Sequence, residues 1–292
     1  MKHIGFIGLG LMGSAMVQRL LDQGYTLTVL GNRDRTGVEA ALARGASESA
    51  TARELAQAAD VIMLCMGNSD HVEGRMRGPD GVIAGLTAGK VVIDFGTSLP
   101  GSTIALGAEV VEKGATMLDC PLGRTPSHGR EGKLNIMGAG DKAVFDSLRP
   151  VFEDLAENIF HLGDLGAGHT IKLINNFYAM SSVQVMSEAF AACDVAGVSR
   201  EALYNVLSAG PNGSGMMDFI KAYAVDGDPE KLAFTLTNAL KDVGYYDKMI
   251  TDFGQESIMA KGPMSAIRRA IDDGHGADLV PTMVDNYRRW FS

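Results

Sequence analysis
Lys172 is followed at three and four residues by Asn175 and Asn176, so on a helix one amine and two amides share a face. Leu173, Ile174 and Phe177 give them apolar surroundings. Such a set can hold a small polar molecule and pass a proton to or from it. The plainer alternative is a lysine whose stem lies on apolar surface while its head and both amides meet water. A second polar group, Asp119-Cys120-Pro121-Leu122-Gly123-Arg124-Thr125, follows the apolar run around Leu118. It stands at the C-terminal end of a strand, where open α/β sheets bind ligands.

Gly8-Leu9-Gly10-Leu11-Met12-Gly13 is a third group, a GxGxxG set between the apolar residues 4–7 and a helical pattern of Ala15, Met16, Val17, Leu20 and Leu21. Its glycines allow a tight turn and let the backbone approach a pyrophosphate, which the helix N-terminus then stabilises. In this strand-to-helix setting the string points to a dinucleotide; a purely structural turn is the alternative. At the end of the second strand an acidic side chain would bind the ribose hydroxyls of NAD. The sequence there reads Gly31-Asn32-Arg33-Asp34-Arg35. Asn32 and Arg33 fall where a 2′-phosphate would lie, and a guanidinium suits phosphate geometry, so NADP is favoured. NAD stays open, because a shift of one residue would put Asp34 at the ribose.

These groups need a scaffold. Residues 4–7, 27–30, 61–65, 91–95, 117–120 and 134–137 are short apolar runs, several without alternation, as in strands buried on both faces. Gly24, Gly45 and Gly114 fall where the intervening helices should end in a left-handed residue. Strand and helix in alternation predict a doubly wound, largely parallel α/β sheet. After Gly163, Gly166 and Gly168 no convincing strand follows, and residues 169–196 read as one long helix closed by Gly197. The expected domains are therefore 1–163, α/β, and 164–292, all helical.

Composition bounds the function. The chain has 292 residues, 46% hydrophobic and 21% charged, enough for a sizeable core. A net charge of −9 without a basic run argues against nucleic acid. The uncharged stretch 173–187 contains two Asn, three Ser and a Gln, which is no membrane span. Three distant cysteines, Cys65, Cys120 and Cys193, form no CxxC pair, and the six histidines form no ligand-spaced pair. A reduced, cytoplasmic, metal-free protein is expected, with His128 and His161 as loop or surface residues.

Together the motifs resemble the β-hydroxyacid dehydrogenase family, which contains 3-hydroxyisobutyrate dehydrogenases, tartronate semialdehyde reductases and sulfolactaldehyde reductases. GFIGLGLMGSAM at 5–16 looks like its cofactor signature, and GHTIKLINN at 168–176 like its catalytic signature. Phe234 with Lys241-Asp242 resembles a later segment whose lysine closes over the nicotinamide. The resemblance implies a Rossmann-like domain plus a helical domain, an active site in the cleft between them, and a homodimer or homotetramer. It makes Lys172 the catalytic lysine, with Asn175, Asn176, Gly123 and Thr125 holding a small anionic semialdehyde or hydroxyacid. Thr97 would lie near the nicotinamide, and Cys65-Met66 replaces the family's usual Leu-Pro near the cofactor.

The substrate loop sets this chain apart. Relatives commonly have Ser-Gly-Gly where Gly123-Arg124-Thr125 stands. That variant resembles the sulfolactaldehyde reductase branch, in which the arginine meets the anionic head group, although Ala179 replaces a serine frequent in that branch. Alternatively Arg124 points outward to a surface acid such as Glu131. As a proton donor and acceptor, Lys172 would need a pKa well below the free value of about 10.4, which burial and a neighbouring cation would both favour. Two other functions compete: a catalytically silent dinucleotide-binding sensor or interaction module, and an oxidative decarboxylase like 6-phosphogluconate dehydrogenase.

Overall fold
Our computed structural model describes residues 2–292 in two compact units, Met1–Lys172 and Leu173–Ser292. Nine strands lie among the described residues of the first: β1 His3–Ile7, β2 Thr26–Leu30, β3 Ser47–Ser49, β4 Val61–Leu64, β5 Val91–Asp94, β6 Thr116–Asp119, β7 Leu122–Gly123, β8 Leu134–Gly140 and β9 Ala156–His161. They form one sheet in the order β3-β2-β1-β4-β5-β6-β8-β7, with β9 paired to β8. The pairings from β3 to β6 are all parallel, and β8 then runs antiparallel to β6.

The six apolar runs thus mark six strands. β3, β7 and β9 carry Ser-Glu-Ser, Leu-Gly and Ala-Glu-Asn-Ile-Phe-His, in which no continuous apolar run exists. Among the described residues nine helices accompany the sheet: α1 Leu11–Asp22, α2 Thr36–Leu42, α3 Ala52–Ala58, α4 Ser69–Met76, α5 Val82–Gly85, α6 Pro100–Val111, α7 Pro126–Arg130, α8 Lys142–Ser147 and α9 Arg149–Leu155. Gly24, Gly45 and Gly114 have φ of 81°, 94° and 70°, the left-handed turns that punctuate the chain.

Alternate strand residues feed two cores, which is why central strands such as β4, Val-Ile-Met-Leu, show no polar alternation. Phe6, Met63 and Ile93 pack on one face against Met16, Leu20 and Phe152. Ile62, Leu64 and Val92 pack on the other against Leu55, Val72 and Leu106. Each such side chain, fully buried, contributes about 1.5–3 kcal/mol.

Helix α10, Ala167–Ala196, begins in the first unit and continues into the second. The second unit adds α11 Arg200–Ser208, α12 Gly215–Ala224, α13 Leu236–Asp252, α14 Lys261–Ala270 and α15 Met283–Phe291. Its core joins Val183, Phe190, Ile220, Val243, Ile267 and Val284. Among the described residues no helix is long and apolar enough to cross a membrane.

Candidate active site
The glycine-rich turn lies between β1 and α1. Gly10 is the N-cap of α1; no side chain caps this end and no acid stands in its first turn. Its first N–H groups are therefore available to an anion. A Cβ on Gly10 would meet nothing within 4 Å, whereas one on Gly13 would lie 1.9 Å from the Gly8 carbonyl oxygen. Gly10 leaves room for a ligand, and Gly13 lets the helix close on the turn.

Beside this turn is a cavity of about 280 Å³ lined by Gly8, Gly10, Asn32, Asp34, Cys65 and Met66, with His71 and Arg75 of α4. Leu11 is exposed, and Met12 packs against the core beneath. His71 and Arg75, one helical turn apart, were not legible as lining residues; only their spacing after β4 hinted at them. Burial, then the Asp94 charge, pushes the Cys65 thiol up to about 12, so it is a neutral wall of the cavity.

The charges at the end of β2 are distributed unequally. Asp34 Oδ1 accepts from the Thr36 N–H, which holds its carboxyl below the usual range. Arg35 is bound by Glu48 through two hydrogen bonds, of 2.6 and 2.9 Å. Arg33 is exposed and has no hydrogen bond or ion pair among the described residues. These residues fit a dinucleotide, with an uncapped helix end for its pyrophosphate and polar groups where its ribose would lie.

Two aspartates end neighbouring strands in register, Asp94 on β5 and Asp119 on β6, both fully buried. Asp94 accepts from Gly96 N and Ser98 Oγ, at 2.8 and 2.7 Å, and so shapes the turn that bears half-buried Thr97. Asp119 accepts from Gly166 N and His169 N, at 2.8 and 2.7 Å. One remote carboxylate therefore caps both amides that a capping box would satisfy at the start of α10. A side chain at Gly168 could not fit, since its Cβ would lie 2.3 Å from the Met137 carbonyl oxygen. Lys172, half-buried, comes three residues after His169 on this anchored helix.

Sequence reasoning missed the His169 cluster, because its partners lie 50 and 66 residues away. The one signal was an aspartate closing each of two apolar runs, VVID and TMLD. His128 and His161 serve locally, at Thr125 Oγ1 and at the Gly140 carbonyl. Among the described residues no cluster of three His, Cys, Asp or Glu side chains is arranged to hold a metal.

In the second unit Asn175, exposed, donates to Asn176 Oδ1 at 3.1 Å. Asn176 in turn donates to Asp242 Oδ2 at 2.6 Å, and Lys241 Nζ lies 2.9 Å from Asp242 Oδ1. The two amides are thus unequal: Asn176 is engaged at oxygen and nitrogen, while Asn175 faces outward. Lys241 also stands over the Tyr245 ring, 5.4 Å from its centre. Ala179 is half-buried against the helical core.

The loop after β6 brings Gly123 into β7, opposite Asn135. Thr125 Oγ1 bonds Ser127 and His128. Arg124 Nη1 donates to the Lys133 carbonyl at 2.7 Å and pairs with Glu157. Its acidic partner is Glu157, not Glu131, which pairs with Lys133 instead. Nε and Nη2 of Arg124 have no partner among the described residues. Arg124 is also the one described non-glycine residue with positive φ, 75°.

Family models cover both parts of the chain. One, described as the NAD binding domain of 6-phosphogluconate dehydrogenase, matches residues 3–163. The other, described as NAD-binding of NADP-dependent 3-hydroxyisobutyrate dehydrogenase, matches residues 166–284. The chain is 30% identical to 2-(hydroxymethyl)glutarate dehydrogenase of Eubacterium barkeri, over 93% of this chain and 88% of that protein. It is 35% identical to the NAD-dependent L-serine dehydrogenase of Pseudomonas aeruginosa, over 73% and 72%. In fold it is similar to the 3-hydroxyisobutyrate dehydrogenase of Mycobacterium tuberculosis, with a TM-score of 0.86, 22% identity, and 99% of each chain covered.

Proposed function
The chain belongs to the β-hydroxyacid dehydrogenase family, whose members are NAD(P)-dependent, and from this we propose that it interconverts a small anionic β-hydroxyacid-type alcohol and its semialdehyde. Lys172 is the proton donor and acceptor in this reading. The observation that carries it is the anchoring of α10 by Asp119: Lys172 lies within the first two turns of a helix whose start is tied to the C-terminal end of a strand, the end at which open α/β sheets bind ligands.

When bound, the nicotinamide would supply a hydride to the carbonyl carbon in reduction or take one from the carbinol carbon in oxidation. Lys172 gives its ammonium proton to the carbonyl oxygen in reduction and takes the hydroxyl proton in oxidation. Asn175 offers its outward amide to the substrate, with Asn176 holding it in place. Gly123 and Thr125 border the substrate loop, and the Nε–Nη2 edge of Arg124 reads the anionic head group. NADP is the preferred dinucleotide: Asp34 and Arg35 are already engaged, which leaves Asn32 and Arg33 for a 2′-phosphate. The names of the two relatives, dehydrogenases of 2-(hydroxymethyl)glutarate and L-serine, support a carboxylate head group. Gly123-Arg124-Thr125 supports a sulfonate. Exposed Tyr178 and Val185, seven residues apart on α10, support association of like chains into a dimer or tetramer.

The test is oxidation of NADPH and NADH with a panel of carboxylate, sulfonate and phosphonate semialdehydes. Lys172→Ala should lower kcat by about two to four orders of magnitude. Its cofactor affinity should hold. Absence of turnover across the panel, or a Lys172→Ala variant with a tenth of wild-type kcat when chemistry limits the rate, would overturn the reading.

A further inference from the structure
We propose that His169 is a positioning residue, a buried clasp that ties the turn bearing Thr97 to the first turn of α10 and so fixes Lys172. This rests on the reading of Lys172 as the proton donor. Asp94 and Asp119 lie side by side, yet their hydrogen bonds serve different parts of the chain: the turn after β5 and the start of α10. The His169 imidazole, fully buried, reaches both. Its Nε2 is 3.7 Å from Asp94 Oδ2 and its Nδ1 is 3.7 Å from Asp119 Oδ2. Thr103 Oγ1, 2.8 Å from Nδ1, sets the plane of the ring.

The ring is costly where it stands. Nε2 is buried without a hydrogen-bond partner, a condition that subtracts from stability. A core that needed only volume at this position would be better filled by leucine. With the proton on Nε2 the ring is drawn to Asp94, and the Thr103 hydroxyl, 3.2 Å from the Leu99 carbonyl oxygen, turns its proton to the nearer Nδ1. The attraction is then to Asp94 alone, and Asp119 holds the histidine through its backbone N–H. The polarity therefore joins two segments that the rest of the cluster holds separately. Lys172 follows three residues later, so a loosened first turn displaces its ammonium group. A misplacement near 1 Å is enough to cost about a hundredfold in rate.

The experiment compares His169→Leu and His169→Gln with the wild type in steady-state turnover, in cofactor titration without substrate, in thermal unfolding and in amide exchange of the first turn of α10. In His169→Leu kcat should fall about ten- to hundredfold. Substrate KM and cofactor Kd should stay within about threefold, and Tm should hold or rise. The backbone amides of Gly166 and of residue 169, which Asp119 caps, should exchange faster, since the turn is looser. His169→Gln, whose amide can donate to Asp94 and accept from Thr103, should recover most of the rate. In a Lys172→Ala background His169→Leu should cost nothing further.

Wild-type kcat in His169→Leu, no recovery in His169→Gln, or an additive loss in the Lys172→Ala background would each overturn the proposal. If the leucine variant does not fold, Thr103→Val removes the bond that orients the ring and should show the same split between kcat and KM; wild-type kcat there overturns it equally. Lys172→Ala separates the two readings. Retained turnover in that variant ends the proton-donor reading and this proposal together, whereas its loss beside an intact His169→Leu ends this proposal alone.

Discussion
Two glycines of one turn should fail in opposite ways when replaced by alanine. At Gly13 the added Cβ would sit 1.9 Å from the Gly8 carbonyl oxygen and 3.1 Å from the Phe6 ring, about 1 Å closer to the oxygen than a real Cβ comes. Helix α1 must then move off the turn, an overpacking cost of about 1–3 kcal/mol. At roughly 2–4 °C per kcal/mol for a unit of this size, Tm should drop by about 2–12 °C. At Gly10 the Cβ meets nothing, and φ −72° with ψ −165° is open to alanine. The lower entropy of the unfolded chain adds about 0.4–1 kcal/mol, and the poorer N-cap removes a few tenths or more. Tm should therefore change by less than about 2 °C.

Binding should show the reverse pattern. The Gly10 methyl would occupy the space through which a pyrophosphate reaches the α1 N–H groups. Loss of one charge-assisted bond, about 1.5–3 kcal/mol, weakens the dinucleotide some ten- to hundredfold. Calorimetric titration with NADPH and ADP-ribose, next to thermal unfolding of the nucleotide-free protein, reads both effects. A Gly10→Ala variant that binds both ligands like the wild type would show that the open space is not the pyrophosphate seat.

Three further outcomes are expected. Arg33→Ala should narrow a preference for NADPH over NADH by roughly ten- to hundredfold, and a wild type preferring NADH tenfold would sink that assignment. Arg124→Gly, which suits φ 75° better than any other residue, should leave Tm unchanged or higher and cost about thirty- to several-thousandfold in kcat/KM for an anionic semialdehyde. Equal losses for a neutral aldehyde of the same size would mean that Arg124 and Glu157 only shape the loop. At alkaline pH, Cys65 ionises from about 9 in the unfolded chain but only at about 12 in the native one, so the native state keeps its proton and stability falls between those values. The slope is about 1.4 kcal/mol per pH unit for this thiol, and Cys65→Ala should remove it from the Tm–pH curve above pH 9. An unchanged curve would contradict the burial of the thiol.

Much of this was legible in the residues, for identifiable reasons. Strands buried on both faces announce themselves as apolar runs, and the GxGxxG string and the Lys172–Asn176 set act through neighbours within one turn of chain. β3, β7 and β9 lack that signal, because their places in the sheet are fixed by backbone pairing with neighbours that supply the hydrophobic surface. Long-range polar partners were equally silent. Nothing near Asp119 predicts that its oxygens cap a helix that starts 48 residues later, and nothing near Arg124 favours Glu157 over the closer Glu131. Asn175 and Asn176 looked equivalent until Asp242, distant in sequence, engaged one of them.

The margins of the large sheet have a consequence for how this chain lives among others. An open sheet ends in unpaired N–H and C=O groups that can template strands from other molecules. Here one margin is β3, three residues bearing the charged Glu48, and another is β7, only two residues long. The outer strand β9 carries exposed Glu157, and its register against β8 is broken between Leu134 and Asn135. Short, charged and irregular borders make poor templates for aggregation. Strand-to-strand growth from one molecule to the next is therefore disfavoured at each of these borders.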